Sequence, residues 1–357
     1  MSVALVTGAG GLIGSEAVSF LIDQGLDVIG LDNDMRSYFF GKDASTGWRI
    51  AEMKRIHRRF RHTSIDIRDF ASVSELVRKV GSDLKLVVHA AAQPSHDWAA
   101  REPFTDFAIN AQGTLNMLEA VRQHAPNATF IFMSTNKVYG DTPNQLPLIE
   151  HASRWDIAPD HIYYNNGIDE TMSIDRSTHS LFGVSKLSAD LLVQEYGHYF
   201  GLNTACFRGG CLTGGGHSGT ELHGFLAYLM KCTTVGRPYT IYGYKGKQVR
   251  DNIHSYDLVR ALWRFAEDPK PARVYNIGGG RFANCSMIEA IDLCQSITGK
   301  NLNATYSDQN RIGDHIWWVS DISTFQADYP DYRLTYNIEA TLSEIHEMGS
   351  RRWLADS

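Results

Sequence analysis

The run Thr7-Gly8-Ala9-Gly10-Gly11-Leu12-Ile13-Gly14 places glycines at positions 8, 11 and 14, after a short apolar stretch and at the opening of a helical pattern. Such a series is suited to holding an anion against backbone. Gly8 and Gly11 allow a tight turn and close approach of N–H groups to a pyrophosphate. The helix start at Leu12 and Ile13 favours negative charge, and Gly14 lets helix and strand pack closely. Asp32, with Asn33 beside it, follows 18 residues after Gly14. A carboxylate there accepts hydrogen bonds from the adenosine ribose and repels a 2′-phosphate, so the pattern favours NAD over NADP. Arg36 is the counter-signal, and a simple loop cap by Asp32 and Asp34 is the plain alternative. Asp66 and Ile67 are placed to bracket the adenine, and the small residues Ala90, Ala91 and Ala92 allow backbone to approach the cofactor.

The elements that must position these residues are legible as alternating apolar runs and helical patterns. Strands are expected at Val3–Val6, 26–31, 62–67, 84–89, 129–133, 203–207 and 274–277, with helices over 13–24, 72–80 and 104–124. Continuous apolar strands between helices indicate a parallel sheet covered on both faces, hence an α/β, doubly wound Rossmann fold. Residues 1–209 are expected to form the dinucleotide-binding domain, with later segments near 240–280 contributing. Residues 210–357 form mainly a smaller, interleaved substrate domain. The polar, aromatic stretch 143–180 breaks the pattern, and a loop of that length is expected to be functional or ordered by a ligand.

A second constellation stands at the end of the fifth strand, Met133-Ser134-Thr135-Asn136-Lys137-Val138-Tyr139-Gly140, together with Lys186. With the glycine series it resembles the extended short-chain dehydrogenase/reductase superfamily over nearly the whole chain. The resemblance implies that Thr135 hydrogen-bonds the substrate oxygen that exchanges a proton. It implies a tyrosine acid/base four residues before Lys186, which lowers that tyrosine's pKa and binds the nicotinamide ribose. Position 182 holds phenylalanine instead. The i, i+4 spacing keeps Phe182 and Lys186 on one helix face, but a benzene ring cannot shuttle a proton. Three readings stand open: an engineered Tyr-to-Phe replacement, a natural enzyme with a substitute base such as His179, Tyr163 or Tyr164, and a non-catalytic NAD-binding sensor.

The run from Ser134 to Asp141 and the insert with Asn166-Gly167-Ile168-Asp169-Glu170 resemble the CDP-paratose (CDP-tyvelose) 2-epimerase branch. So do the segments 201–208 and 246–251. Dehydratase relatives carry Thr-Asp-Glu where this chain has Thr135-Asn136-Lys137, so elimination of water is disfavoured. The resemblance implies a nucleotide-sugar epimerase acting at C2 of a CDP-linked deoxyhexose through a transient 2-keto sugar, impaired by Phe182. A 4-epimerase or a dehydrogenase on another nucleotide sugar is the alternative. Asn136, Lys137, Arg208, Tyr242, Arg250 and Arg311 are the expected further substrate contacts. The two last would grip the pyrophosphate, against the plain alternative of surface ion pairs with Asp251 or Asp314. Cys211 stands where many 4-epimerases have asparagine, and reads as packing. Helices 103–124 and 182–200 carry apolar stripes that relatives pair into a homodimer.

Composition bounds the rest. The 357 residues are 43% hydrophobic and 21% charged with a net charge of −6, which suits a globular chain and not a general nucleic-acid binder. Five cysteines without a C-x-x-C pair argue against a disulfide framework or zinc site, and no metal is expected. No membrane span or signal peptide is legible, so a cytoplasmic setting is expected. Fourteen histidines lack metal-ligand spacing, and His89 and His254 read as structural. Trp317-Trp318 reads as core, and the basic run from Lys54 to Arg61 as a solvated helix face.

Overall fold

The computed structural model describes residues 2–217, 219–220, 224–310 and 313–355. Its central sheet has seven strands: β1 (Val3–Thr7), β2 (Asp27–Leu31), β3 (Phe60–Thr63), β4 (Leu84–His89), β5 (Thr129–Thr135), β6 (Thr204–Gly209) and β7 (Arg273–Ile277). Their order is β7-β6-β5-β4-β1-β2-β3, and the pairings of β1 with β2 and β4, β2 with β3, and β4 with β5 are parallel. This is the doubly wound, Rossmann-like order. It reverses between β1 and β4, the switch point where such sheets hold ligands beyond their strand ends. The apolar strands are buried on both faces because helices cover them: all six residues of β6 are buried.

Four helices matter for the site: α1 (Leu12–Asp23), α2 (Phe70–Val80), α3 (Gly113–His124) and α4 (Leu181–Phe200). Val73 and Val77 of α2, Met117 and Val121 of α3, and Ala189 and Val193 of α4 share one core with Leu5, Val87, Phe130 and Phe132 of the sheet. Asp69 caps α2 by accepting from Ser72 N (3.2 Å), and Ser180 caps α4 by accepting from Gly183 N (3.2 Å).

The structure departs from the sequence expectations in three places. The third strand ends at Thr63, because the Asp66 carboxylate accepts from Arg68 N and the Asp66 carbonyl from Asp69 N, turning the chain. The helix expected over 104–124 is three pieces: Pro103–Phe107, a π-helical turn at Ala108–Gln112, and α3. The basic run does not lie on one helix: that helix ends at Ile56, and Phe60 and Arg61 belong to β3.

The chain divides into two compact units. The first comprises 1–138, 180–208 and 259–275; the second comprises 139–179, 209–258 and 276–357. In the second, Val249–His254 pairs in parallel with Cys211–Thr213 and Trp317–Trp318 and antiparallel with Asn284–Ser286. Both tryptophans are fully buried, as core residues should be. Helices Phe225–Val235, Met287–Thr298 and Ile338–Ala355 close a second core around Leu229, Met230, Cys294 and Leu342. The long insert, through His179, belongs to the second unit. It forms the hairpin Leu148–Glu150 with Trp155–Ile157, held by Arg154–Glu289, Arg281–Asp156 and the pairing of Lys245 and Lys247 with Glu150.

Candidate active site

In the first unit, Gly8 has φ +66° and a β-carbon there would lie 2.9 Å from Ala91 N, so the turn after β1 requires glycine. A β-carbon at Gly14 would collide with the Gly8 carbonyl oxygen, which fixes how closely α1 meets the turn. The Asp32 carboxylate accepts from Gly10 N and Asp34 N, each at 2.8 Å, and Thr46 Oγ1 lies 3.3 Å away. It therefore ties the end of β2 to the glycine turn while retaining lone pairs for a ribose, since a carboxylate offers about four acceptor sites. Asn33 Nδ2 donates to Asp66, whose pKa is lowered mainly by the Arg68 guanidinium bonded to it. Ile67 is buried and its carbonyl accepts from Asn116. Arg36 lays its guanidinium over the Phe40 ring at 5.1 Å.

The histidine at the end of β4 is structural. Thr114 donates its hydroxyl proton to Asn110 O, so its oxygen accepts from His89 Nε2 (3.0 Å). His89 Nδ1 then accepts from Thr7 Oγ1 (2.7 Å), which itself accepts from Ala91 N (3.0 Å). Burial, reinforced by the Lys186 charge, pushes His89 down to about 3, so it stays neutral and locks β1, β4 and the Ala90–Ala92 backbone together.

Phe182 and Lys186 both lie on the buried face of α4. Lys186 Nζ donates to Met133 O at 2.7 Å and lies 4.0 Å from the centre of the Phe132 ring. Burial lowers its pKa to about 8, against the opposing pull of Asp190, Cys206 and Asp106. Two residues beyond Met133, the Thr135 hydroxyl oxygen accepts from Lys137 N (3.2 Å), and Asn136 is buried beside it. Lys186 and the end of β5 are thus brought together.

Arg208 does not fit its expected role. Nη2 and Nε grip the two carboxylate oxygens of Asp190 at 2.8 and 3.1 Å, and the pair is buried. Its guanidinium neutralises a core carboxylate, which removes the geometry that would favour a substrate contact.

The other expected contacts belong to the second unit. Arg250 lies 3.6 Å from Asp314, the ion pair weighed against a pyrophosphate role, and donates to Val249 O. Tyr242 is half-buried at the end of the strand Tyr239–Tyr242, and Arg311 lies outside the described residues. His254 is buried, stacks on Tyr336 at 3.9 Å and meets Glu344 at 3.1 Å. Cys211 is half-buried within a strand, and Cys206, Cys232, Cys285 and Cys294 are buried. Among the described residues no cluster of metal-ligating side chains occurs.

The chain from residues 4 to 278 matches the model of the NAD dependent epimerase/dehydratase family. The chain belongs to that family. Among curated relatives, the CDP-paratose 2-epimerase of Salmonella typhi is 33% identical over 310 residues, covering 84% of this chain and 86% of the relative. The dTDP-glucose 4,6-dehydratase of Salmonella typhimurium is 27% identical, over 94% of this chain and 84% of its own. Among solved structures, a Tyr-to-Phe variant of UDP-glucuronic acid 4-epimerase from Bacillus cereus, complexed with NAD and a fluorinated substrate analogue, superposes with TM-score 0.77. It is 23% identical and covers 98% of this chain and 99% of its own. The UDP-glucose 4-epimerase of Thermus thermophilus with NAD gives 0.75 at the same identity, with 98% and 99% covered.

NAD is the family's cofactor, and the cradle fits it. The glycine turn leaves no room for a β-carbon at Gly8 or Gly14, and the Asp32 carboxylate is held against that turn by Gly10 N. Sequence reading missed two features of this unit. One is a buried network in which Gln93 and Asn110 both donate to Asp106 (2.7 and 3.0 Å) and Asn110 donates to Ser185 of α4 (3.1 Å). The other is His96, whose ring meets that of Phe182. The π-helical turn carrying Asn110 has no signature in apolar periodicity, although such turns are frequent at functional sites.

Proposed function

We propose that this family member epimerises a CDP-linked deoxyhexose at C2 through a transient 2-keto sugar. The observation that carries the reading is the 33% identity to a CDP-paratose 2-epimerase across 84% of the chain. The strand-end residues support it: Asn136 and Lys137 follow Thr135, so no acid pair stands there for the elimination chemistry of a dehydratase. NAD bound at the glycine turn supplies the oxidation and its reversal. Thr135 donates its hydroxyl proton to the oxygen at C2 and stabilises it as charge develops. Lys186, held by Met133 O, places positive charge beside that oxygen and the ribose. Phe182 contributes shape but no proton. Arg250 and Arg311 serve the pyrophosphate in this reading, and Tyr242 stacks on the base.

Among the described residues no helix is long and apolar enough to cross a membrane, and five cysteines without a C-x-x-C pair suit a reducing, cytoplasmic setting. Phe104, Phe107, Leu181, Val184 and Leu191 are exposed on the helices expected to pair, which supports a homodimer.

Titration calorimetry of the NAD-loaded chain with CDP, UDP and GDP, paired with proton NMR of CDP-paratose over time, tests the proposal. Selective CDP binding and appearance of the C2 epimer are expected. Tighter binding of UDP with conversion of UDP-glucose would put the chain among the 4-epimerases. Phe182 favours one further reading, a sensor that binds NAD without turnover, and absence of affinity for every nucleoside diphosphate would select it.

A further inference from the structure

We propose that Thr46 is a second determinant of dinucleotide choice: its side chain fills the flank of Asp32 that faces the glycine turn, so a 2′-phosphate is refused by volume as well as by charge. NAD is the family's cofactor, so the inference does not depend on which sugar is turned over. Every residue that carries it lies in the first unit.

Thr46 stands 14 residues beyond Asp32 in the chain, yet it is only 5% exposed and packs on both Asp32 and the glycine turn. Its Oγ1 lies 3.3 Å from Asp32 Oδ1 and 3.1 Å from Asp34 Oδ1, so one hydroxyl proton is shared between two carboxylates. A β-carbon at Gly10 would lie 2.7 Å from Thr46 Cβ, 2.9 Å from Thr46 Oγ1 and 3.1 Å from Asp32 Oδ2. The threonine therefore fills the corner between Gly10 and the end of β2.

The acceptors of Asp32 can be counted. Oδ1 accepts from Asp34 N (2.8 Å) and from Thr46 Oγ1, whereas Oδ2 accepts from Gly10 N (2.8 Å). A carboxylate oxygen has two lone pairs, so Oδ2 keeps the one that a ribose hydroxyl can use. A phosphate on that ribose oxygen would need room beside Asp32 for three further oxygens, and Thr46 occupies the adjoining corner. The cations of this end are engaged. Arg36 lies over the Phe40 ring at 5.1 Å, and Arg68 grips Asp66 through Nε (3.0 Å) and Nη2 (2.7 Å).

The wall is held at both ends of its strap, residues 35–47. Thr46 N donates to Asp34 Oδ1 (2.8 Å) and Ser45 Oγ to Asp34 Oδ2 (2.6 Å). Thr46 O accepts from Arg49 N (3.0 Å) and Ile50 N (3.2 Å), which starts the helix Gly47–Ile56, and Ala44, Ile50 and Met53 are buried. At the other end Phe39 is buried edge-on against Trp98, with centroids 5.4 Å apart, and the Tyr38 hydroxyl donates to Glu102 (2.7 Å). Moving Thr46 aside would break these contacts together, so its volume acts as a fixed wall.

Calorimetry of the full chain, freed of bound dinucleotide, with NAD and NADP tests this, and the quantity read is the ratio of NADP to NAD affinity. Asp32→Asn is the background, since it removes the charge and leaves the wall. Adding Thr46→Ala should raise the ratio about 10–100-fold, the scale on which a pocket discriminates by volume. Adding Thr46→Val, which keeps the volume and removes the hydroxyl, should leave the ratio of Asp32→Asn within about threefold. A gain below about tenfold with Thr46→Ala, or an equal gain with Thr46→Val, overturns the proposal, as does a wild type that binds NADP as tightly as NAD. Thr46→Ser, smaller by one methyl with the hydroxyl kept, covers an alanine variant that fails to fold. Its ratio should rise in the same direction, and a ratio equal to that of Asp32→Asn alone overturns the assignment.

Discussion

Asp190 and Arg208 form a buried, two-point ion pair, with Nη2–Oδ1 at 2.8 Å and Nε–Oδ2 at 3.1 Å. Ser134 Oγ and Gln194 Nε2 also donate to Asp190, at 2.5 and 2.7 Å. Removing one partner leaves the other's charge uncompensated in the core. Asp190→Ala should destabilise the chain by about 3–5 kcal/mol, and Asp190→Ala with Arg208→Met should recover most of that. Urea denaturation measures both, and an additive double variant would argue against the pair.

Asp32 should decide cofactor choice. Its carboxylate ties Gly10 N to the end of β2, so Asp32→Asn keeps one acceptor while removing the repulsion of a 2′-phosphate. NAD affinity should fall roughly 10–100-fold, the loss of charged hydrogen bonds to the ribose, and the preference for NAD over NADP should narrow. Calorimetry with both dinucleotides checks this, and an unchanged preference would remove Asp32 from the cofactor site.

Asp251 should give stability a pH dependence of definite sign. It is buried, one oxygen accepts from Ser320 N (3.0 Å) and Gly280 N (3.2 Å), and burial raises its pKa from 3.8 to about 6. The unfolded chain therefore releases this proton first. The contribution is fully present below about pH 4 and lost as pH rises through about 6, by roughly 3 kcal/mol in all. Asp251→Asn should abolish that component. Urea midpoints of wild type and variant at pH 4.5 and 7 give the difference, and parallel shifts would refute it.

Phe104 is 93% exposed, an unusual state for an aromatic side chain, and Leu181 and Leu191 stand half-exposed on α4. Light scattering should give twice the 39.9 kDa chain mass. Phe104→Asp with Leu191→Asp should halve it without loss of folded circular dichroism. A monomeric wild type would end the dimer reading.

Much of the fold was legible in the sequence. The glycines at 8, 11 and 14 and the carboxylate at 32 read correctly as the turn and strand end of a doubly wound sheet, because backbone geometry at such a turn tolerates few residue types. The apolar strands were visible for a similar reason: burial on both faces leaves no polar alternation to misread. Element ends were less so. The turn at Asp66 depends on where Arg68 N points, and the break at Ala108–Gln112 on buried amides that apolar periodicity cannot register.

The sequence by itself determined the fold class, the glycine turn after β1 and the absence of a phenol at position 182. Each is a matter of residue type at a fixed local spacing. Only the tertiary structure decided that Arg208 is neutralised by a residue 18 positions away and that His96 lies against Phe182 from 86 positions away. Both are consequences of which helix face packs on which strand end. Spacing along the chain carries no information about such encounters, because the free energy that selects them is spread over the whole buried core.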